Sequence, residues 1–139
     1  MPQQTRDWHT EAMDPNAVCP CGSDEPFGRC CLPLHLGERW AETAEQLMRS
    51  RYSAYAVDNL DYVWQTWHPK TRPTELTPET RLTWTGLEIV DTLDNGDESG
   101  EVEFRAHYRQ GQRSGTLHER SRFAVRARRW FYVDGELFS

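Results

Sequence analysis

The sequence is short of positive charge and of long apolar runs, and each shortage excludes a class of protein. Its 139 residues contain 16 lysines and arginines against 22 aspartates and glutamates, for a formal net charge of −6. Because a dedicated nucleic-acid-binding domain is usually strongly basic, we do not expect nucleic acid as a partner. No segment reaches the roughly 20 apolar residues of a membrane-spanning helix, and residues 1–10 lack the apolar core of a secretory signal. We therefore expect a cytoplasmic protein that does not enter a membrane.

Familiar catalytic motifs are also missing. The sequence has no glycine-rich phosphate-binding loop, no nucleophile elbow, no internal repeat and no low-complexity tract. Its length is sufficient for one compact domain and a small appendage. Sequence motifs alone therefore identify no reaction.

Cysteine occurs only at Cys19, Cys21, Cys30 and Cys31, within thirteen consecutive positions. Four thiolates are the ligand set of a structural zinc site, which has Zn–S distances of about 2.3 Å and no coordination position left for a substrate. The alternative is a pair of disulfides, but neighbouring cysteines bridge each other only with strain, and disulfides are rare in the cytoplasm. We therefore predict that the four cysteines bind one structural Zn²⁺ ion.

The residues between the cysteines favour a tight metal-binding knuckle. Pro20 fixes a backbone torsion between the first two thiols, and Gly22 allows a tight turn after them. Ser23 can donate a hydrogen bond to a ligand sulfur. Residues 24–29 contain Pro26 and Gly28, which favour a turn that returns the chain to the second pair of cysteines. We expect chelation to unfold this knuckle and to leave the larger domain folded.

Helical spacing follows the knuckle. Thr43, with Gln46 three residues later, matches a capping box and predicts a helix that continues to Ala56. The predicted apolar face of this helix consists of Ala44, Leu47, Met48, Tyr52 and Tyr55. A second helix is predicted from Asn59 to Trp67, and Thr77-Pro78-Glu79 is typical of the start of a further helical turn.

Apolar and polar residues alternate after residue 81. This period of two predicts four strands, at Leu82–Leu93, Glu101–Gln110, Gly115–Arg126 and Arg129–Val133. Turn signals occur at Asp94-Asn95-Gly96, Gly111–Ser114 and Asp134-Gly135. Helices followed by a strand meander predict an α+β fold, in which the helices pack on one face of a curved, antiparallel, four-stranded sheet.

The alternation also predicts which strand side chains face the helices. On the second strand they are Val102, Phe104, Ala106 and Tyr108, and on the third they are Leu117, Glu119, Ser121, Phe123 and Val125. A carboxylate in an apolar layer must be paired, hydrogen-bonded or raised in pKa. Glu119 is therefore a candidate general acid or base, although a structural ion pair with Arg49 or Arg51 is the favoured alternative.

Further candidate site residues surround this carboxylate in the predicted fold. Ser121 could hydrogen-bond a substrate, and His68, which ends the second helix, could exchange a proton with it. A histidine before proline is more often a cap or a surface residue. Aromatic side chains most often fill the core, but some could line a cavity, and these pocket candidates are Tyr52, Trp67, Phe104, Phe123 and Tyr132.

Basic residues occupy the other face of the second and third strands. They are Arg105, His107, Arg109, His118, Arg120 and Arg122, with Glu103 nearby. Such a patch could contact phosphate or an acidic partner. Because the net charge is negative, the favoured interpretation is a solvated face with acidic neighbours or a dimer contact, and nucleic acid is a secondary possibility.

The cysteine spacing resembles the SEC-C motif, a zinc knuckle found at the carboxyl end of the SecA translocation ATPase and in many unrelated bacterial proteins. The fourth ligand of that motif is often histidine, whereas Cys31 stands at this position here. The SecA knuckle binds a chaperone and ribosomal surfaces through lysines and aromatics, and the corresponding loop here reads Asp24-Glu25-Pro26-Phe27-Gly28-Arg29. The resemblance implies a zinc site and a surface for protein contacts.

Longer segments resemble the YchJ family of small bacterial proteins. They are LMRSRYSAY at residues 47–55, TWHP at 66–69, LHERSRF at 117–123 and WFYVDG at 130–135. The resemblance extends over about residues 18–135. It implies a SEC-C knuckle joined to a cone-like domain similar to nuclear transport factor two and the SnoaL-type enzymes, and it implies no established reaction.

Two functional hypotheses are compatible with this interpretation. The favoured one is a zinc-stabilised binding or adaptor protein with a flexible segment at residues 1–18, a knuckle at 19–36 and a cone-like domain at 37–139. The knuckle would present the loop around Phe27 to a protein or ribosomal partner, and the cone would offer a pocket for a small apolar ligand. The alternative is a small acid–base enzyme that acts on an apolar substrate in the cone cavity through Glu119, His68 and Ser121.

Overall fold

The computed structural model describes residues 13–76 and 82–138. Its elements are a 3₁₀ turn at Phe27–Arg29, helices α1 (Leu32–His35), α2 (Ala44–Ala56) and α3 (Leu60–Gln65), and strands β1 (Thr83–Asp94), β2 (Ser99–Gln110), β3 (Arg113–Arg126) and β4 (Arg129–Phe138). The strands form one antiparallel sheet in the order β1-β2-β3-β4. The predicted α+β fold is confirmed. The helical turn predicted at Thr77-Pro78-Glu79 lies outside the described residues.

Residues just before Cys19 pack on the knuckle. Val18 forms an isolated bridge with Pro26, and the N–H group of Phe27 donates to the carbonyl of Ala17. Backbone hydrogen bonds therefore bind this part of the chain to the loop between the cysteines, and the flexibility predicted for residues 1–18 stays a prediction. Residues 1–12 lie outside the described part of the chain.

Helix α2 begins where the capping box predicts. The Thr43 side chain accepts a hydrogen bond from the N–H group of Gln46, which satisfies one of the free donors in the first turn. The Gln46 side chain accepts from the N–H group of Glu42, one residue earlier than a capping box requires. The predicted apolar face is incomplete, because Tyr55 is exposed and polar residues are buried. The buried side chains of α2 are Leu47, Met48, Ser50, Arg51, Tyr52, Ser53 and Ala54.

Helix α3 is shorter than the predicted span Asn59–Trp67. Its start agrees with the prediction, with Asn59 as the N-cap residue, but the helix ends at Gln65. The N–H group of Tyr132 then donates to the carbonyl of Thr66, and the N–H group of His68 donates to the carbonyl of Tyr132. Trp67 consequently forms a parallel bridge with Tyr132. Pairing with the sheet ends the helix before Trp67.

Strand β4 extends beyond its predicted end at Val133. It continues to Phe138, so Asp134 and Gly135 are strand residues that pair with β3, and the turn predicted there is wrong. The register shifts by one residue between Tyr132 and Asp134, which leaves Val133 as an extra residue in a β-bulge. The other three strands agree with the prediction to within two residues at each end.

Tight hairpins connect the last three strands. Gly111 and Gln112 join β2 to β3, and Ala127 and Arg128 join β3 to β4. Both residues of the second loop have positive φ, at 54° and 70°, as in the type I′ turns that match strand twist. The predicted turn at Asp94-Asn95-Gly96 is confirmed at the end of β1.

Three hydrophobic clusters hold these elements together. The main cluster lies between α2 and the sheet; its buried members are Leu47, Met48, Tyr52, Val102, Phe104, Ala106 and Phe123. Three of these confirm the predicted inward face of β2, whereas Tyr108, also predicted there, is not among the buried residues. The second cluster surrounds the cysteines and includes Phe27. In the third, Leu34 of α1 packs with Ala54, Tyr62 and Val63. Helix α1 therefore connects the cysteine-containing loop to α2 and α3.

Candidate metal centre and neighbouring groups

The four cysteine side chains converge on one point. Their Sγ atoms all lie within 4.8 Å of one another. The Cys21 and Cys30 sulfurs are 3.6 Å apart, and those of Cys30 and Cys31 are 3.9 Å apart. A tetrahedral zinc site with Zn–S bonds of about 2.3 Å has sulfur–sulfur edges of about 3.8 Å. The spacing and the all-sulfur donor set therefore fit a tetrahedral metal ion of the Zn²⁺ type.

Local hydrogen bonds shape the loop that brings the sulfurs together. The N–H group of Cys19 donates to the carbonyl of Glu25 at 2.8 Å. Gly22 has a φ of +86°, a backbone conformation that residues with a Cβ atom rarely adopt. The Ser23 hydroxyl lies 3.1 Å from the sulfur of Cys30, so the predicted contact between Ser23 and a ligand sulfur is present.

Contacts among the sulfurs lower the pKa of two thiols and raise the pKa of the other two. The hydrogen bond with Cys19 holds the pKa of Cys21 well below its usual range, and the hydrogen bond with Cys31 lowers the pKa of Cys30 to about 7. Conversely, the hydrogen bond with Cys21 raises the pKa of Cys19 to about 11, and that with Cys19 raises the pKa of Cys31. Because metal ligands are thiolates, cation binding at this centre must release protons.

Polar groups of α2 hold the knuckle. Arg49 Nη1 donates to the carbonyl of Cys21 at 2.6 Å, and the Cys19 sulfur lies 3.6 Å from the Ser53 hydroxyl. His35 Nε2 donates to the carbonyl of Ser50 at 2.9 Å. The sequence analysis missed this second buried face of α2. Its signal is the set of small residues Ser50, Ser53 and Ala54 at helical spacing, which allow close approach of another element.

Phe27 is not presented to solvent. Its side chain is 4% exposed, and its ring packs edge-on against His35 with the centroids 5.6 Å apart. The ring belongs to the cluster around the cysteines, and contact between a partner and the loop around Phe27 stays a prediction. The exposed residues of the loop are Gly22, Asp24, Glu25 and Arg29.

Glu119 is hydrogen-bonded, and no arginine pairs with it in residues 13–76 and 82–138. Its Oε2 atom accepts hydrogen bonds from the hydroxyl of Ser121 at 2.7 Å and from that of Tyr132 at 3.3 Å. Arg49 pairs with a glutamate one turn earlier in α2, and Arg51 donates to a carbonyl at the end of α3. The structural ion pair favoured from the sequence is therefore wrong.

Arg51 is buried against aromatic rings. Its Nη1 atom lies 2.7 Å from both the carbonyl of Val63 and the hydroxyl of Thr66. The guanidinium carbon is 4.5 Å from the ring centroid of Tyr132 and 5.4 Å from that of Trp67, within the range of cation–π attraction. Burial lowers the pKa of Arg51. The side chain joins the end of α3 to β4.

His68 and Glu119 lie on opposite sides of β4. The Nδ1 atom of His68 accepts from the N–H group of Lys70 at 3.0 Å, and the ring packs against Phe131 with the centroids 5.9 Å apart. Because neighbouring residues of a strand point to opposite faces, Phe131 lies opposite Tyr132, whose hydroxyl bonds Glu119. The structure does not bring the predicted acid–base pair together.

The predicted pocket residues pack against other side chains. Tyr52, Phe104 and Phe123 are buried in the main cluster. Trp67 and Tyr132 form an edge-to-face pair with the centroids 5.1 Å apart. Two surface clefts of about 510 and 340 Å³ lie elsewhere, and none of these five residues lines either one. A ligand cavity lined by them stays a prediction.

Carboxylates neutralise the basic face of β2 and β3. Arg120 pairs with Glu101, Asp91 and Glu103, and His118 Nε2 lies 2.7 Å from Glu103. These hydrogen bonds, from His118 first and then from Arg120, lower the pKa of Glu103. The remaining pairs are Arg122 with Asp134, and Arg105 and His107 with Glu88. The predicted acidic neighbours of this face are therefore present, although Arg109 has no carboxylate oxygen within 4.0 Å among the described residues.

Among residues 13–76 and 82–138, every helix is too short or too polar to span a lipid bilayer.

Family comparisons match both parts of the chain. A family model described as "YchJ, middle NTF2-like domain" matches residues 43–135, and a SEC-C motif model matches residues 16–33. A UPF0225 protein of Bordetella parapertussis is 48% identical over 124 residues, covering 87% of this chain and 93% of the relative. A UPF0225 protein of Streptomyces coelicolor is 48% identical over 124 residues, covering 88% of this chain and 97% of the relative.

Two solved structures resemble the fold over most of its length. The solution structure of a SEC-C motif containing protein from Rhodopseudomonas palustris has a TM-score of 0.76 and 34% identity, covering 89% of this chain and 99% of that one. The crystal structure of a SEC-C motif containing protein from Psychrobacter arcticus has a TM-score of 0.72 and 24% identity, covering 90% and 85% of the two chains. The second comparison shows the shared fold alone.

Proposed function

Because the chain belongs to the YchJ family and carries a SEC-C motif before the family's middle domain, we propose that it is a zinc-stabilised binding protein. The observation that carries this proposal is the convergence of four sulfur atoms within 4.8 Å of one another. Four thiolates saturate a tetrahedral zinc ion and leave no position for a substrate. The centre is therefore proposed to have a structural role.

Residues around the sulfurs are arranged to hold a fixed loop. Bound Zn²⁺ would supply a crosslink between the two ends of the segment from Cys19 to Cys31 and would balance the thiolate charge. Ser23 donates to a ligand sulfur, and Arg49 donates to the carbonyl of Cys21. These contacts orient the ligands and join the loop to α2, which favours a rigid surface over a reactive one.

The proposed partner surface is the outer rim of the knuckle, defined as Gly22, Asp24, Glu25 and Arg29. All four residues are exposed, and the rim lies between the two cysteine pairs. A loop that is fixed before binding loses less conformational entropy when a partner binds. The proposed partner is a protein or ribosomal surface, as expected from the resemblance to the SEC-C motif.

Metal content tests the first half of this proposal. Elemental analysis of purified, untagged protein should give one zinc ion per chain, and Cys30→Ser with Cys31→Ser should abolish it. Ser23→Ala is the matched control because it retains all four thiols, and it should keep the stoichiometry. Absence of bound metal in protein with four free thiols contradicts the proposal.

Partner capture tests the second half. Proteins retained from cell extract should be compared among the intact chain, the double cysteine variant and a rim variant, Asp24→Arg with Arg29→Glu. A partner lost in both variants, while the rim variant keeps its metal, supports contact through the rim. Identical partner lists for all three proteins reject an adaptor role for the knuckle.

The acid–base enzyme ranks below this proposal. Its three candidate residues are divided, since Glu119 and Ser121 share one face of the sheet while His68 packs against the other. Neither surface cleft includes Glu119. The contacts of Glu119 with Ser121 and Tyr132 are those of a hydrogen-bonded structural group, and they require no catalytic role.

A further inference from the structure

A cleft lies between the knuckle helix and the cone. It has a volume of about 340 Å³ and is bounded by α1 and the segment after it, by α2 and α3, and by the start of β4. This volume falls within the usual range for small-molecule sites. Its apolar walls include Leu34, Ala41, Leu47, Trp130 and Phe131.

The charged side chains that line this cleft are all positive. Arg39 and Arg129 line it, and no aspartate or glutamate does. Within residues 13–76 and 82–138, neither guanidinium has a carboxylate oxygen within 4.0 Å, whereas Arg105, Arg120 and Arg122 of the basic sheet face are paired. Arg39 Nη2 donates to the carbonyl of Cys30 at 3.4 Å. Arg129 therefore brings a guanidinium without a carboxylate partner to an apolar cleft, in a chain with a net charge of −6.

The Arg129 side chain also stacks on an aromatic ring. Its guanidinium carbon lies 3.9 Å from the ring centroid of Trp40, which lines the same cleft and is 52% exposed. When a guanidinium stacks on an aromatic ring, the ring covers one of its flat faces. The N–H groups at its edge stay free to donate hydrogen bonds. A planar carboxylate accepts two such hydrogen bonds side by side.

We propose that this cleft binds a small organic acid, with its carboxylate on Arg129 and its apolar body against Trp130 and Phe131. Arg39, which also lines the cleft and donates to the carbonyl of Cys30, adds positive potential. The apolar walls favour a ligand with a hydrocarbon or aromatic body, and the Arg129 guanidinium favours a ligand with a negative charge. This site is separate from the cysteine centre and from the knuckle rim, so it goes beyond the proposed function.

The test is a titration monitored by amide NMR shifts with three probes: 4-phenylbutyrate, its uncharged isostere 4-phenylbutyramide, and acetate. The butyrate should shift the amides of residues 36–41 and 129–131. The amide and acetate should bind at least about fivefold more weakly, because each lacks one of the two recognition elements. Equal affinity for the butyrate and the amide, or shifts outside the cleft, overturn the proposal.

Variants assign the anion contact. Arg129→Gln should weaken butyrate binding about five- to tenfold and leave the amide unaffected, and Arg129→Lys should weaken it less because the charge remains. Arg113→Gln, an exposed arginine in the hairpin between β2 and β3, is the matched control and should bind like the original protein. Far-ultraviolet circular dichroism and zinc content confirm that each variant is folded. Unchanged butyrate affinity in folded Arg129→Gln overturns the assignment.

Discussion

Truncation of Leu34 should separate the knuckle from the cone. Leu34 belongs to α1, directly after the last cysteine, and its side chain is 3% exposed. It packs with Ala54 of α2 and with Tyr62 and Val63 of α3. It is the only residue of the knuckle side in this described cluster. Leu34→Ala therefore removes apolar contact between the two parts while leaving all four thiols unchanged.

The expected loss of unfolding free energy follows from the burial of Leu34. Replacing a fully buried leucine by alanine costs about 2–5 kcal/mol through lost transfer energy and the cavity left behind. With a urea dependence of about 1–3 kcal/mol per molar, the unfolding midpoint should fall by roughly 1 M or more. Leu36→Ala is the matched control, since Leu36 lies two residues further on and is 62% exposed. Its effect should stay within about 0.5 kcal/mol.

Metal removal provides the second arm of this experiment. Chelation was expected from the sequence to unfold the knuckle alone, but the packing of Leu34 on α2 and α3 predicts that these helices are also destabilised. Amide hydrogen exchange should therefore accelerate in α2 and α3 when a chelator is added to the original protein. In Leu34→Ala the additional effect of chelation should be smaller, because the contact that transmits it is already lost.

Two results would refute this reasoning. One is a Leu34→Ala variant that unfolds at the same urea concentration as Leu36→Ala. The other is exchange in α2 and α3 that does not respond to chelation in the original protein. Either result would mean that the cone holds its helices without help from the knuckle.

Three further predictions concern the cone and are measured by urea unfolding. Gly135→Ala should cost about 1–3 kcal/mol, because the added Cβ meets the Glu119 side chain. Ser50→Ala should cost about 1–3 kcal/mol, because it removes the hydroxyl 2.8 Å from the buried hydroxyl of Tyr62. Acid should weaken the fold through Glu103, whose pKa lies below the ordinary 4.5 because a neighbouring histidine and arginine donate to it. Below about pH 4.5 the unfolded chain binds more protons than the folded chain, so the unfolding midpoint should decrease as the pH falls.

Matched variants control these predictions. Glu119→Ala should suppress most of the cost of Gly135→Ala, and Tyr62→Phe should reduce the cost of Ser50→Ala, because the clashing or unpaired group is then absent. Glu103→Gln should flatten the acid dependence, whereas Glu38→Gln, at an exposed position, should not. Additive double variants or identical pH profiles for the two glutamine variants contradict these contacts.

Features that depend on nearby residues were predictable from the sequence. The start of α2 follows from Thr43 and Gln46, three residues apart, and the cysteine cluster follows from four thiols within thirteen positions. The inward face of β2 follows from strict alternation. In each case a short-range rule is sufficient, because cap geometry, loop closure and strand pleat are set within a few residues.

Features that depend on distant packing were not predictable in the same way. Ser50 and Ser53 are polar, so the spacing of apolar residues does not predict that they are buried. They are buried because the knuckle covers them. Asp134-Gly135 has the composition of a turn, but pairing with β3 overrides it, and the glycine provides room for Glu119. The burial of Phe27 was not predicted, because nothing local shows that the cysteine cluster includes an aromatic ring.

The position of the metal-binding segment in the chain bears on biosynthesis. All four thiols are translated before α2, and the sheet is complete only after β4, which begins nearly a hundred residues beyond Cys31. Contacts within a short loop close in microseconds or less, far faster than translation adds the next residues. The knuckle and α1 can therefore form while the sheet is still being synthesised, and α2 then meets a prepared surface. Under the proposed zinc binding, cells deprived of zinc during translation would lose this order of assembly, and not only one bound ion.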